Sequence, residues 1–263
     1  MSVDYTLVIK RMQQLEQVYV LFAESTRLPF VECDPESYDD QVYMYAEEAA
    51  AQDGAKNYEE KQMPLRVVRV EKKQLPTFFT SIHLMGVNLL VFYERLSVSR
   101  IPLDQIIKVD PKKAENKHIP VNNASLQLTV IYFIQELRRP GQRKDDIERI
   151  KRLQELEEEM TVDLVRSSFI LPVNASQDNG KVAIPYIKTP GGDILQPIFS
   201  DVWEFQKFQR DPEVKLKMAV APFSKLLPSL MEQAKGFVLN PGGVNLILTR
   251  EQLEAIAKRF EET

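Results

Sequence analysis

Few side chains in this 263-residue chain are of a type that does chemistry, and they are scattered. There are two histidines, His83 and His118, and one cysteine, Cys33. No histidine–acid arrangement stands near Cys33 in the sequence, so no base-activated thiol is legible. His83 falls among apolar residues with helical spacing and reads as structural, while His118 lies in a polar stretch and reads as solvated. A single thiol excludes an intrachain disulfide and a multi-thiolate zinc site. The glycine pairs Gly191-Gly192 and Gly242-Gly243 fit neither phosphate-loop pattern, and turn geometry accounts for both. Two clusters remain. Phe199-Ser200-Asp201 ends an apolar strand pattern just before a helical one, where a hydroxyl and a carboxylate can cap backbone amides or line an anion site. Asn240-Pro241 ends a second apolar strand pattern. Trp203, Phe205 and Phe208 share the helix after Ser200, and one of these aromatics is a candidate partner anchor. The candidate binding residues are therefore Phe199, Ser200, Asp201, Trp203, Asn240 and Pro241. No catalytic residue, metal ligand or cofactor is assigned. Arg138, Arg139, Arg143 and Lys144 form the densest basic cluster, read as a solvated turn or as a contact for an acidic partner.

The elements that must hold these residues follow from periodicity. Val3–Glu16 has helical spacing, and Val18–Ala23, Leu28–Cys33 and Val42–Tyr45 read as strands. Ala46–Ala55 is rich in Ala and Glu, hence helical. Leu65–Val70 is a strand. Pro76 opens a helix carrying Phe78, Phe79, Ile82 and Met85, Gly86 closes it, and Val87–Tyr93 is a strand apolar enough to be covered on both faces. Leu126–Leu137 and Asp145–Ser168 read as helices, the second with an apolar stripe of Ile147, Ile150, Leu153, Met160 and Leu164. Strands follow at Phe169–Val173, Lys181–Lys188 and Leu195–Phe199, the last two joined by the Thr189–Asp193 turn. Ser200 caps a helix to Phe208, and Leu216–Val220 is a strand. Pro228 opens a short helix closed by Gly236, and strands follow at Phe237–Leu239 and Val244–Leu248. Thr249 and Gln252 form a capping box for the final helix.

The order repeats. Gln41–Glu48, Leu65–Val70, Leu75-Pro76 and Gly86–Tyr93 are echoed by Leu195–Asp201, Leu216–Ala221, Leu227-Pro228 and Gly236–Asn240. The spacing predicts an α/β fold of two related modules, each a mixed, partly parallel sheet flanked by helices. The expected division is a first module over residues 1–107, a polar linker over 108–121 and a second module over 122–263. In each module two parallel crossovers are expected, with antiparallel pairing added by the initial strands.

Composition narrows the function classes. A hydrophobic fraction of 44% and a charged fraction of 27% are those of a folded globular protein. The formal net charge of -4 argues against a general nucleic-acid binder, which needs a basic surface. No basic segment leads an apolar run at the start, and no apolar stretch approaches the ~20 residues that span a bilayer. The expected location is the cytoplasm, away from membranes.

Ile198-Phe199-Ser200-Asp201 and Phe237-Val238-Leu239-Asn240-Pro241 resemble the SseB family, in which a strand ends in Phe-Thr-Asp or Phe-Thr-Ser before a helix and a later apolar strand ends in Asn-Pro. Ser200 replaces the usual Thr. Phe169–Val173 looks like the family's first strand, and the resemblance runs from about Leu126 to the C-terminus. The first module looks like a diverged copy: Tyr45-Ala46-Glu47 stands in the place of Phe-Thr-Asp, and Asn88 is not followed by Pro. The resemblance implies a bacterial protein of undefined biochemical activity. With no catalytic constellation, the expected function is non-enzymatic: an interaction or regulatory module with an unknown protein partner. The alternative is a small-molecule sensor or enzyme with a cleft near Ser200, Asp201 and Asn240, and a homodimer is a further possibility for the assembly.

Overall fold

The computed structural model describes residues 4–107, 121–141, 146–174, 184–209 and 216–261. The expected linker lies outside these residues apart from Val121, as do His118, Arg143, Lys144 and residues 181–183 of an expected strand. The chain is mixed α/β and divides into two compact units. One draws on residues 1–117 and 131–153, the other on 118–130 and 154–263.

The first unit holds α1 (Thr6–Gln14), β1 (Gln17–Ala23), β2 (Glu32–Cys33), β3 (Asp40–Tyr45), α2 (Glu48–Lys56), β4 (Leu65–Glu71), α3 (Leu75–Leu84), β5 (Leu89–Glu94) and β6 (Ser97–Pro102). Its strands run β4-β1-β3-β5-β6, with β2 beside β3. Only β3 and β5 are parallel. Tyr19, Leu21, Phe30, Tyr43, Tyr45 and Val91 form a core cluster, joined by Ala51 of α2. Phe78, Phe79 and Ile82 bury the apolar side of α3. At ~25 cal/mol per Å² of apolar surface removed from water, these large side chains dominate the folding energy of the unit. A capping box between Glu71 and Gln74 turns β4 through one 3₁₀ turn into α3, where Pro76 sits in the first turn. Beside β2, the carboxamide of Gln135 accepts from Val31 N–H (3.3 Å) and donates to Val31 C=O (2.9 Å). It thereby satisfies one residue of edge backbone as a neighbouring strand would. Gln135 belongs to α4 (Ala124–Leu137), which is followed by α5 (Ile147–Arg166).

The second unit holds β7 (Ser168–Asn174), β8 (Ile187–Lys188), β9 (Ile194–Ile198), α6 (Val202–Phe208), β10 (Leu216–Pro222), α7 (Leu226–Ser229), β11 (Gly236–Leu239), β12 (Leu246–Thr249) and α8 (Arg250–Glu261). β10 pairs antiparallel with β7, and β12-β11-β9-β8 form a second sheet. The bridge Ile170↔Phe199 links the two. β9 and β11 are parallel, while β8–β9 and β11–β12 are antiparallel. With that bridge counted, the connectivity β10-β7-β9-β11-β12, with β8 on β9, repeats strand for strand the order and directions of β4-β1-β3-β5-β6, with β2 on β3.

Several expectations are corrected. Each unit has one parallel strand pair and not two, because β4 returns beside β1 and β10 beside β7, both antiparallel. β6, at Ser97–Pro102, is absent from the sequence reading. Gly236 does not close a helix. α7 ends at Ser229, and Gly236 starts β11, where an added Cβ would lie 2.2 Å from the Leu248 carbonyl oxygen. Pro228 lies inside α7, not at its start. The stripe of α5 omits Ile147 and Ile150, both exposed, and includes buried Leu156. Of Leu28–Cys33 only Glu32–Cys33 is strand, and of the described part of Lys181–Lys188 only Ile187–Lys188. Val121 packs with Ile170, Phe199 and Phe205 and is not a solvated linker residue.

Candidate functional site

The chain direction changes between β9 and α6, and that change assembles the candidate residues. Phe199 pairs with Ile170 through two 2.9 Å backbone hydrogen bonds. Its ring packs against Phe205 (5.5 Å between centroids) and Phe208 (5.3 Å). The backbone then turns through Ser200 and Asp201 into α6. The helix cap is Asp201, not Ser200: its backbone is extended and its Oδ1 accepts from Glu204 N–H at 2.9 Å. Ser200 stands one residue too early for that bond, and its hydroxyl instead donates to Asp201 Oδ2 (2.8 Å).

Asn240 closes the arrangement from the end of β11. Its φ is +49°, a left-handed conformation that Asn tolerates better than most residues because its short polar side chain bonds locally. Its Oδ1 accepts from Ser200 N–H (3.0 Å), and its Nδ2 donates to Ser200 Oγ (2.8 Å). Its carbonyl is turned away and accepts from Gly243 and Asn245 within the turn that contains Pro241. Two residues from the start of this unit, absent from the candidate set, complete the cluster. Gln127 donates to Asp201 Oδ2 (2.7 Å). Asn123 donates to the carbonyls of Ser200 (2.9 Å) and Ser168 (2.7 Å). They lie far from residue 200 in sequence, and only an amide-bearing start to a helix hints at them.

Ser200, Asp201 and Asn240 thus converge, and each is at most 3% exposed. Their polar atoms bind one another and backbone. Chemically the cluster can hold strand ends together and fix the start of α6. Glu204 is buried beside it. Its Oε1 pairs with Lys207, and its Oε2 has no partner. Burial pushes its carboxyl above the usual glutamate range, against the pull of Lys207. Trp203 is half-buried, with its Nε1 inside and unpartnered. Two surface grooves lie elsewhere. One in the first unit, about 400 Å³, runs along Leu75, Pro76 and Phe79. One in the second, about 260 Å³, runs along Phe223, Leu227 and Leu253. Neither is lined by Ser200, Asp201 or Asn240.

The other chemical candidates also find places. Cys33 is exposed, and partial burial with Asp40 and Asp34 nearby pushes its thiol upward, away from thiolate reactivity. His83 is exposed. Arg138 donates to Ser25 C=O, and Arg139 pairs with Glu136, so this part of the basic cluster serves the first unit. Thr249 and Gln252 form the expected capping box. Among the described residues no group of three or more metal-ligating side chains occurs, and no helix is long and apolar enough to cross a membrane.

In the first unit Tyr45 pairs with Tyr19 and Tyr93, as Phe199 stands between Ile170 and Asn240. Tyr93, not Asn88, therefore holds the place of Asn240. Ala46 N–H donates to the backbone carbonyl of Tyr93 (2.9 Å), where Ser200 N–H uses the Asn240 side chain.

Residues 149–255 match the family model described as SseB protein N-terminal domain, which accords with the resemblance read from the sequence of the second half. No curated protein matches the chain. Among solved structures, Tic22 from Plasmodium falciparum aligns with 12% identity over 97% of this chain and 98% of its own, at a TM-score of 0.22. Anabaena Tic22, whose title adds protein transport, aligns with 17% identity over 98% of each chain at the same score. Superpositions that loose carry no functional argument.

Proposed function

We propose, from a second half similar to the SseB N-terminal domain, that this chain is a non-enzymatic interaction or regulatory module of a bacterial cytoplasm. The observation that supports it is the closed hydrogen-bond cluster. The polar residues that stand out in the matching segment, Ser200, Asp201 and Asn240, direct their bonds to each other, to Gln127 and to backbone. Residues so engaged fix the backbone around them; they are poorly placed to transfer protons or bind substrate. The common strand order of the two units supports a second element of the reading, that one architectural plan is used twice in the chain. Affinity capture of the full chain from its source cell, read by mass spectrometry, is expected to return one reproducible stoichiometric protein. A clean preparation that instead turns over a metabolite overturns the reading.

The ligand alternative has one observation in its favour, the unpartnered Glu204 Oε2 buried next to the cluster. A thermal-shift screen with metabolites separates the two, since a ligand that prefers the folded state raises the midpoint. A shift lost in Glu204→Gln and kept in a surface variant favours the ligand; a flat screen favours the interaction module.

A further inference from the structure

We propose that the outer edge of β10 is a self-association surface, where a second copy of this chain adds its own β10 antiparallel about a two-fold axis at Ala219. This stands apart from the partner reading above.

Strand pairing fixes which amides are available. Phe223 N–H, just past the end of β10, donates to Ser167 C=O, just before β7, so the bonded positions of the ladder fall at odd-numbered residues of β10. Alternation along an antiparallel ladder then turns Ala221, Ala219 and Lys217 toward β7, and turns Leu216, Met218 and Val220 away. The opposite strand agrees: Ile170, across from Val220, uses its N–H and C=O on Phe199. The edge facing outward therefore presents unpaired backbone groups at alternate residues, the template that edge strands offer to another chain.

Side chains fit a second copy in particular. Lys217, Met218, Ala219 and Val220 are all exposed, on both faces of the strand. Pairing about Ala219 sets Met218 against the partner's Val220, an apolar cross-strand pair that repeats by symmetry. Small Ala219 meets the partner's Ala219, which lets the backbones close. The one charge, Lys217, falls opposite the partner's Ala221, so the two lysines lie at opposite ends and no like charges meet. Met218 and Val220 exchange two hydrogen bonds with each copy, and Leu216 N–H reaches the partner's Pro222 carbonyl. Pro222 costs only the bond its nitrogen lacks. The corresponding edge in the first unit is guarded: β4 carries Arg66, held over Phe22, and Arg69, paired with Glu71. A one-strand joint is smaller than the interface of a tight dimer, so the association is weak and shows at high protein concentration.

Sedimentation velocity of the full chain across a wide concentration range tests this. The wild type is expected to move from 30.4 kDa toward twice that mass. Val220→Lys is expected to weaken association by about ten-fold or more through like charge at a joint that a cross-strand pair holds. Leu96→Lys, at a fully exposed position of the first unit, leaves association unchanged. In a Cys33→Ser background, Ala219→Cys treated with copper phenanthroline cross-links to a dimer, and Lys217→Cys does not. A wild type monomeric at every concentration, unchanged association in Val220→Lys, or equal cross-linking by both cysteines overturns the proposal. Folding of each variant is checked by circular dichroism, and if Val220→Lys misfolds the cross-linking pair decides alone.

Discussion

Replacing Asn240 isolates the step that joins β11 to α6. Asn240→Ala removes the acceptor for Ser200 N–H and the donor to Ser200 Oγ, both at a position where Ser200 is fully buried. A buried amide left without a partner costs ~1–3 kcal/mol. Alanine must also hold a φ of +49°, which costs an L residue roughly 1–2 kcal/mol. Together the loss is about 2–5 kcal/mol. Asn240→Gly loses the same carboxamide but not the φ penalty, so it is expected to be about 1 kcal/mol milder despite glycine's greater entropy in the unfolded chain. Urea unfolding followed by the fluorescence of Trp203, the single tryptophan, reports on this unit. At a mid-range slope of ~2 kcal/mol per molar urea, Asn240→Ala should lower the midpoint by roughly 1–2.5 M. A double-mutant cycle with Ser200→Ala should show strong coupling, because the two side chains share a bond. If Asn240→Ala costs under ~1 kcal/mol, or if the cycle is additive, the side-chain closure is not what holds this joint.

Glu204 gives a pH signature. Its folded pKa is raised by burial, so protonation favours the folded state. Stability is then fullest below the unfolded value of about 4.3 and falls as pH rises through the higher folded value. Acidifying from neutral toward that window should raise the urea midpoint, and Glu204→Gln should flatten the slope; a slope unchanged in Glu204→Gln refutes the assignment. Gly236→Ala places a Cβ 2.2 Å from the Leu248 carbonyl, a backbone atom that cannot swing aside. Overpacking of this kind costs ~1–3 kcal/mol, and a midpoint within error of wild type would show that β11 and β12 shift apart freely.

The sequence was most legible where one residue type answers one local need. Pro76 in a first turn, Thr249 with Gln252 in a capping box, and the glycine turn before β9 are all local, and all are found. β6 was missed because Ser97–Pro102 mixes polar residues into an edge strand that buries only one of its six, which leaves little periodicity to read. The second parallel crossover does not form, although β3-α2-β4 has the spacing of one, because β4 pairs antiparallel with β1 and pairing partners are chosen by contacts distant in sequence. The apparent correspondences were offset too. Strand registers set Gly236 with Leu89, not Gly86, and the 3₁₀ turns before α3 and α7 set Leu75 with Leu226, so the Leu-Pro pairs are one residue out of step. Of the candidate site, Ser200, Asp201 and Asn240 were legible, but Gln127 and Asn123 were not, since nothing local marks an amide for a carboxylate 74 residues away.

The comparison of Tyr93 with Asn240 explains why an Asn-Pro ending can look like a site and act as a joint. In the first unit the strand continues through Tyr93 into a hairpin, so its carbonyl stays in the ladder and receives Ala46 N–H. In the second the chain must turn at once, and the left-handed φ of Asn240 swings its carbonyl into the turn, to Gly243 and Asn245. Ser200 N–H would then be a buried orphan. A side chain that carries a carbonyl one methylene from the backbone replaces the lost acceptor, and its amide nitrogen satisfies the neighbouring hydroxyl. Asp could accept the amide but not donate to Ser200 Oγ, and Gln would place its carboxamide one methylene too far. The requirement for Asn at this position is therefore geometric, and it holds whatever molecule the surface above it meets.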